Sequence, residues 1–183
     1  MSLPEHPARH FVDMLHRLAP VDRAGNLRME ALDRAALATL RRGLGKPPGT
    51  VYEMYPYVIP YAPLHQQENY FLVAALFAMH PQRWPRVEEW NRNFGVSWRH
   101  LVDLDPNGRE SREQRFVALL KTSHDGIDSQ LRHAVSLLKA KEVPVDWEQL
   151  LRDLPQWEHD QQHIQRAWSR SFWATAPATV SPQ

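Results

Sequence analysis

The sequence predicts an all-α fold, a single helical bundle of about seven to nine helices. Residues 1–173 are expected to form one domain and 174–183 a disordered tail. Three observations carry this. Apolar residues recur at helical spacing nearly throughout, and no run of strict alternation is bounded by turn residues. Four amphipathic segments follow one another almost end to end between Ser111 and Trp173. The composition, 43% hydrophobic and 23% charged over 183 residues, suffices for one packed core.

The elements follow in order. His10 to Leu18 reads as a first short helix ended by Pro20. Asp33 can cap a second, with Ala36, Leu37, Leu40 and Leu44 on one face; Gly43 and Gly45 stop it and Pro47-Pro48 prevents resumption. Thr50 to Pro63, carrying Tyr52, Tyr55, Tyr57 and Tyr61, suggests a packed aromatic loop with a short helical turn. Gln66 to Met79 is the most apolar stretch and the expected central helix. Pro81 to Asn107 looks irregular, with one short helix near Val96–Leu101.

The four C-terminal helices come next. Ser111 and Gln114 have capping-box spacing ahead of Phe116, Leu119 and Leu120. Leu131, Ala134, Val135 and Leu138 define the next apolar face. Asp146 can cap a third helix with Trp147, Leu150, Leu151 and Leu154 at i, i+3, i+4 and i+7. Ile164, Ala167, Trp168, Ser171 and Phe172 define the fourth.

Composition also bounds function. Cysteine is absent, which excludes disulfides, thiolate catalysis and Cys-type zinc sites. The longest apolar patch, Tyr70 to Met79, is half of the roughly 20 residues a membrane span needs. The opening Met1-Ser2-Leu3-Pro4-Glu5-His6 lacks a signal-peptide layout, so a soluble cytoplasmic protein is expected. Formal net charge is only +1. A polyanion ligand would therefore require folding to sort the charges into a local basic face.

Candidate chemistry is sparse. His159-Asp160-Gln161-Gln162-His163 imitates a metalloprotease box at a helix start, but Asp replaces the longer general-base Glu and no third ligand is evident. Asp160 there also suits a first helical turn. Asp103-Leu104-Asp105 opens like a calcium loop, yet Gln114 stands where a bidentate Glu is needed. Arg42-Gly43-Leu44-Gly45-Lys46 follows a helix rather than a strand, so glycine helix stops explain it better than a phosphate loop. The basic residues are better organised. Arg132, Ser136 and Lys139 share one stripe at i, i+4 and i+7, and Arg166 and Arg170 share another. Arg41 and Arg42 leave the end of their helix beside Lys46. Simple solvation of helix faces explains such charges equally well, and Glu148 can pair with Arg152 at i, i+4.

Several signatures then occur in a fixed order: Leu40-Arg41-Arg42-Gly43-Leu44-Gly45, Met54-Tyr55-Pro56-Tyr57, the helix Phe71 to His80, and Arg115-Phe116-Val117-Ala118-Leu119-Leu120. Gln130-Leu131-Arg132, Leu137-Leu138-Lys139 and the run Val145 to Leu154 complete the series. In this order, from Asp33 to Trp173, the chain resembles the CasB family, the small subunit of the type I-E CRISPR surveillance complex, Cascade. The resemblance implies a non-catalytic, all-helical, cofactor-free subunit. Its implied partners are the other Cascade subunits, a second copy of itself within the complex, the CRISPR guide RNA, and the target and displaced DNA strands. The basic positions it implies are Arg41, Arg42, Arg115, Lys121, Arg132 and Arg152, to which spacing adds Lys46 and Lys139. His133 stands where relatives can carry a second base, and Lys139 lies further along the same segment. Two rivals differ in class: a helical metal-dependent enzyme using His159 and His163, and a pure protein-interaction adaptor.

Overall fold

Pro7 opens the first helix, where a fixed φ and a missing N–H cost nothing. In this computed structural model residues 7–85 and 92–174 are described, so the expected tail lies, but for Ala174, outside them. Helix α1 (Pro7–Leu18) buries Phe11, Val12 and Leu15 completely. Helix α2 (Arg34–Arg41) starts at Asp33, whose carboxylate accepts the Ala36 N–H at 2.9 Å as expected. A glycine-rich turn follows. The aromatic loop then forms a 3-10 turn, Tyr52–Met54, running into the short helix α3 (Tyr55–Val58). Helix α4 (Gln67–Met79) is buried nearly all round, from Tyr70 to Ala78 except Leu72. That makes it the centre of the bundle.

Helices α5 (Phe94–Leu104), α6 (Arg109–Leu120), α7 (His124–Ala140), α8 (Trp147–Asp153) and α9 (His163–Trp173) complete the nine among the described residues. α1, α2, α3, α7 and α8 pack around or beside α4, whereas α5 gathers α6, α7 and α9. α7 therefore joins the two halves through Leu131, Val135 and Leu138, each fully buried. Two isolated bridges, Val21–Leu27 and Arg83–Val145, are the extent of β pairing among the described residues. No helix there is long and apolar enough to cross a membrane.

Buried indoles stitch the halves together, each with its N–H satisfied. Trp147 Nε1 donates to Gln82 O at 3.1 Å, Trp157 Nε1 to Thr122 O at 2.8 Å, and Trp98 Nε1 to Arg112 O at 3.0 Å. α5 and α9 approach closely. Gly95 meets the Trp168 backbone so tightly that a Cβ would stand 2.8 Å from the carbonyl carbon and 2.9 Å from Cα.

Four expectations need correction. The helix near Val96–Leu101 is a full α5 beginning at Phe94, because Phe94 and Trp98 pack on Trp168 and Phe116 and extend the buried face. Ser111 and Gln114 form no capping box. A 3-10 turn at Pro106–Gly108 starts the helix early, Gly108 is its N-cap, and Ser111 falls inside the first turn. Asp160 belongs to no first turn, since α9 begins at His163 after Gln162 adopts left-handed backbone. His159 therefore precedes the helix, so the histidine pair does not share a helical face. Its ring meets His163 edge-on at 4.7 Å, while His163 Nε2 is engaged by Gln156 Oε1 at 2.7 Å.

Candidate nucleic-acid interface

The end of α2, the glycine turn after it and the middle of α7 meet at one edge. Gly45 makes this possible. Its φ of +71° is costly for a residue with a Cβ, and a Cβ there would collide with the Arg132 guanidinium. Arg132 thus lies across bare backbone. Lys46, Asp128 and Arg132 line a recess floored by Met54, Phe71 and Ala75. Gly43 is packed as closely beneath, where a Cβ would stand 2.7 Å from the Met54 sulfur.

Of the residues expected to carry function, Arg41, Arg42, Lys46 and Arg132 are brought to this edge by α2, its turn and α7. Arg41 is exposed and folds back on its helix, Nε donating to Leu37 O at 3.3 Å. Arg42 is exposed and pairs with Glu53 at 3.4 Å. Lys139 lies two turns beyond Arg132 on α7 and is exposed. It is near the buried His80 at the end of α4. Burial is the main reason the His80 imidazole is held below its ordinary range, against a hydrogen bond to Val143 O at 2.7 Å, with Lys139 adding to the fall.

The remaining positions sit elsewhere. Arg115 is exposed on α6, and Lys121 is exposed just past its end; α6 packs on α5 and α7. Arg152 is half-buried on α8 and paired with Glu148, so its charge is compensated. Arg166 and Arg170 are exposed on α9.

The division by pairing is informative. Among the described residues, Arg41, Lys46, Arg115, Lys121, Arg132 and Lys139 take part in no ion pair, whereas Arg42 and Arg152 do. Unpaired cations are available to an external anion at no internal cost. Conversely, Asp105 of the would-be calcium loop is engaged by Arg112 at 2.6 Å and Lys141 at 3.7 Å. The Arg112 hydrogen bond holds its carboxyl below the usual range. No group of three or more His, Asp or Glu able to hold a metal occurs among the described residues. Sequence reasoning missed Tyr52, taken as part of a packed loop, which is 76% exposed beside Arg42 and Glu53.

Fold and edge together define a helical-bundle protein with a sorted cationic surface. The comparisons bear on the fold and the family. The sequence model of the family "CRISPR-associated protein Cse2" matches residues 36–173. A CRISPR-associated protein Cse2 from Thermus thermophilus is 31% identical over 172 residues, covering 91% of this chain and 90% of the relative. The crystal structure of CasB from Thermus thermophilus superposes with a TM-score of 0.70 at 31% identity, over 92% of this chain and 99% of that one. A chain of a CRISPR RNA-guided surveillance complex gives a TM-score of 0.69 at 28% identity, over 91% and 93%. The chain belongs to the CRISPR-associated Cse2 family, also called CasB.

Proposed function

We propose that this chain is the non-catalytic small subunit of a type I-E CRISPR Cascade surveillance complex, and that it holds nucleic-acid backbone to stabilise the R-loop in antiviral defence. In this reading it acts in the cytoplasm beside other Cascade subunits and a second copy of itself. Its cations then face the guide RNA–target DNA region and the displaced strand. The observation that carries the reading is the meeting of Lys46 and Arg132 in one recess beside Asp128, with Arg41 at the adjoining end of α2, none of the three cations in an ion pair among the described residues. Phosphate contacts of this kind position a strand and carry no sequence information. That suits a complex in which guide pairing does the reading.

The test reverses Arg132 and Lys139 to Glu together. Binding to single- and double-stranded DNA should both weaken, and the salt slope should fall by about one unit for each phosphate no longer neutralised. In the assembled complex R-loops should become less stable while guide pairing rules persist. The reversal Arg166→Glu with Arg170→Glu makes the same change in net charge on α9 and should cost less. If the Arg132/Lys139 variant folds normally and supports R-loops as tightly as the parent at physiological salt, the α7 stripe faces solvent or protein instead.

A further inference from the structure

Tyr52 is the feature of the edge that phosphate binding leaves unexplained. At 76% exposure Tyr52 is the most exposed aromatic ring among the described residues, ahead of Trp173 at 48% and Tyr55 at 37%. Its support is as unusual as its exposure. The Tyr52 ring abuts Tyr55 at 5.6 Å, and Tyr55 abuts the buried Phe71 at 5.3 Å. The Tyr55 hydroxyl also donates to Gly49 O at 2.9 Å, fixing the middle ring to the turn. A short aromatic ladder thus runs from the core to solvent, and its outermost rung is left uncovered.

Charge around the rung is graded. Next to Tyr52, Glu53 and Arg42 pair at 3.4 Å, so that immediate zone is close to neutral. Beyond it stand the unpaired Arg41, at the end of the helix that packs on residues 52–54, and Lys46 in the following turn. A phosphate is drawn to the cations and gains nothing over the neutral zone. A flat uncharged group fits there instead. An unpaired nucleobase has that chemistry, and base–aromatic stacking tolerates any sequence. Duplex DNA offers phosphates but keeps its bases stacked inside. A protein partner fits less well, because interface cores are depleted of charged residues and this ring has them on its borders.

We infer that Tyr52 is a stacking platform for an unpaired base, so that this edge takes single-stranded nucleic acid in preference to duplex. The inference rests on the backbone-binding reading and adds a base contact, through which this edge distinguishes an unpaired strand from a duplex. Tyr52 holds the base, Tyr55 and Phe71 brace it, and Arg41, Lys46 and Arg132 hold the flanking phosphates.

The experiment compares full-length protein and its variants by fluorescence anisotropy on a labelled oligothymidine and on a duplex, at low salt. Tyr52→Ala should weaken the single strand roughly 5- to 100-fold, leave the duplex within about twofold, and leave the salt slope unchanged. Tyr52→Phe should restore single-strand binding, because the ring and not the hydroxyl is used. A 2-aminopurine oligonucleotide should be quenched by the parent and by Tyr52→Phe but not by Tyr52→Ala. Equal losses on both ligands, or no loss on either, would overturn the stacking role. If Arg132→Glu with Lys139→Glu weakens both ligands while Tyr52→Ala weakens neither, stacking alone fails. If neither variant changes binding, the backbone-binding reading fails with it. A Tyr52→Ala protein that binds oligothymidine like the parent but no longer assembles into the surveillance complex would make the ring a protein contact.

Discussion

Asp153 makes the stability of this bundle depend on pH in a direction opposite to most carboxylates. The side chain is 4% exposed at the end of α8, where it accepts Gln149 Nε2 at 2.7 Å and Trp168 Nε1 at 2.6 Å. Burial pushes its pKa from 3.8 up to about 6; the bonds from Trp168 and Gln149 oppose the rise and the neighbouring Asp146 adds to it. The folded value lies above the unfolded one, so the folded state keeps its proton where the unfolded chain has released it. Stability contributed by this group is full below about pH 4, falls between about pH 4 and 6, and stays lost above that. A rise of about 2 units corresponds to about 3 kcal/mol. Asp153→Asn keeps the shape and cannot ionise, though its amide NH2 must face one of the two donors at a cost of about 1–3 kcal/mol. Guanidinium unfolding followed by tryptophan fluorescence from pH 4 to 8 separates these effects. The constant cost shifts the whole curve of the variant, whereas the relief of the buried charge changes its slope. The variant should gain on the parent by up to about 3 kcal/mol as pH rises from 4 to 7. A difference between the two proteins that does not vary with pH would refute the reasoning.

Two further predictions concern the core. Trp147→Ala should cost about 3–5 kcal/mol in denaturant unfolding, since the indole is 1% exposed, meets Phe77 edge-on at 5.8 Å and satisfies Gln82 O; a loss below about 1 kcal/mol would contradict its anchoring role. Gly95→Ala should cost about 3 kcal/mol or more, because the added methyl meets the Trp168 backbone rather than a side chain that can turn away, and an unchanged thermal midpoint would show that α5 and α9 stand further apart.

What was legible in the sequence was what is local. The caps at Asp33 and Asp146 and the buried faces of α4, α7 and α8 depend on spacings within a few residues, and all of them form. What was not legible depends on residues far apart in the chain. Gly45 reads as a helix stop, and nothing nearby says that Arg132 will cover it. Asp153 reads as a polar residue at a helix end until α9 brings Trp168 onto it. Tyr52 and Tyr55 look alike in sequence, yet only Tyr55 is drawn into the turn by Gly49. Ser111 shows the converse, a valid local signal overridden when Arg112 clasps Asp105 and the preceding 3-10 turn carries the helix start forward.

The net charge of +1 conceals how the charges are arranged. Folding sorts them by pairing several acids away from the α2–α7 edge. Asp103 faces Arg99 and Arg109, Asp105 takes Arg112 and Lys141, and Glu148 takes Arg152. The Asp103 pairs are exposed and add little stability. With those acids paired elsewhere, Arg41, Lys46, Arg132 and Lys139 stand in no ion pair among the described residues, with Asp128 as the acid that lines the recess beside Lys46 and Arg132. Screening at physiological salt acts over about 8 Å, so a phosphate at the edge responds to those cations and scarcely to the neutralised pairs further off. In the role proposed above, a near-neutral protein would grip a polyanion at one edge and present mixed-charge surfaces to protein neighbours elsewhere. A uniformly basic chain of the same fold could not divide its surface in that way.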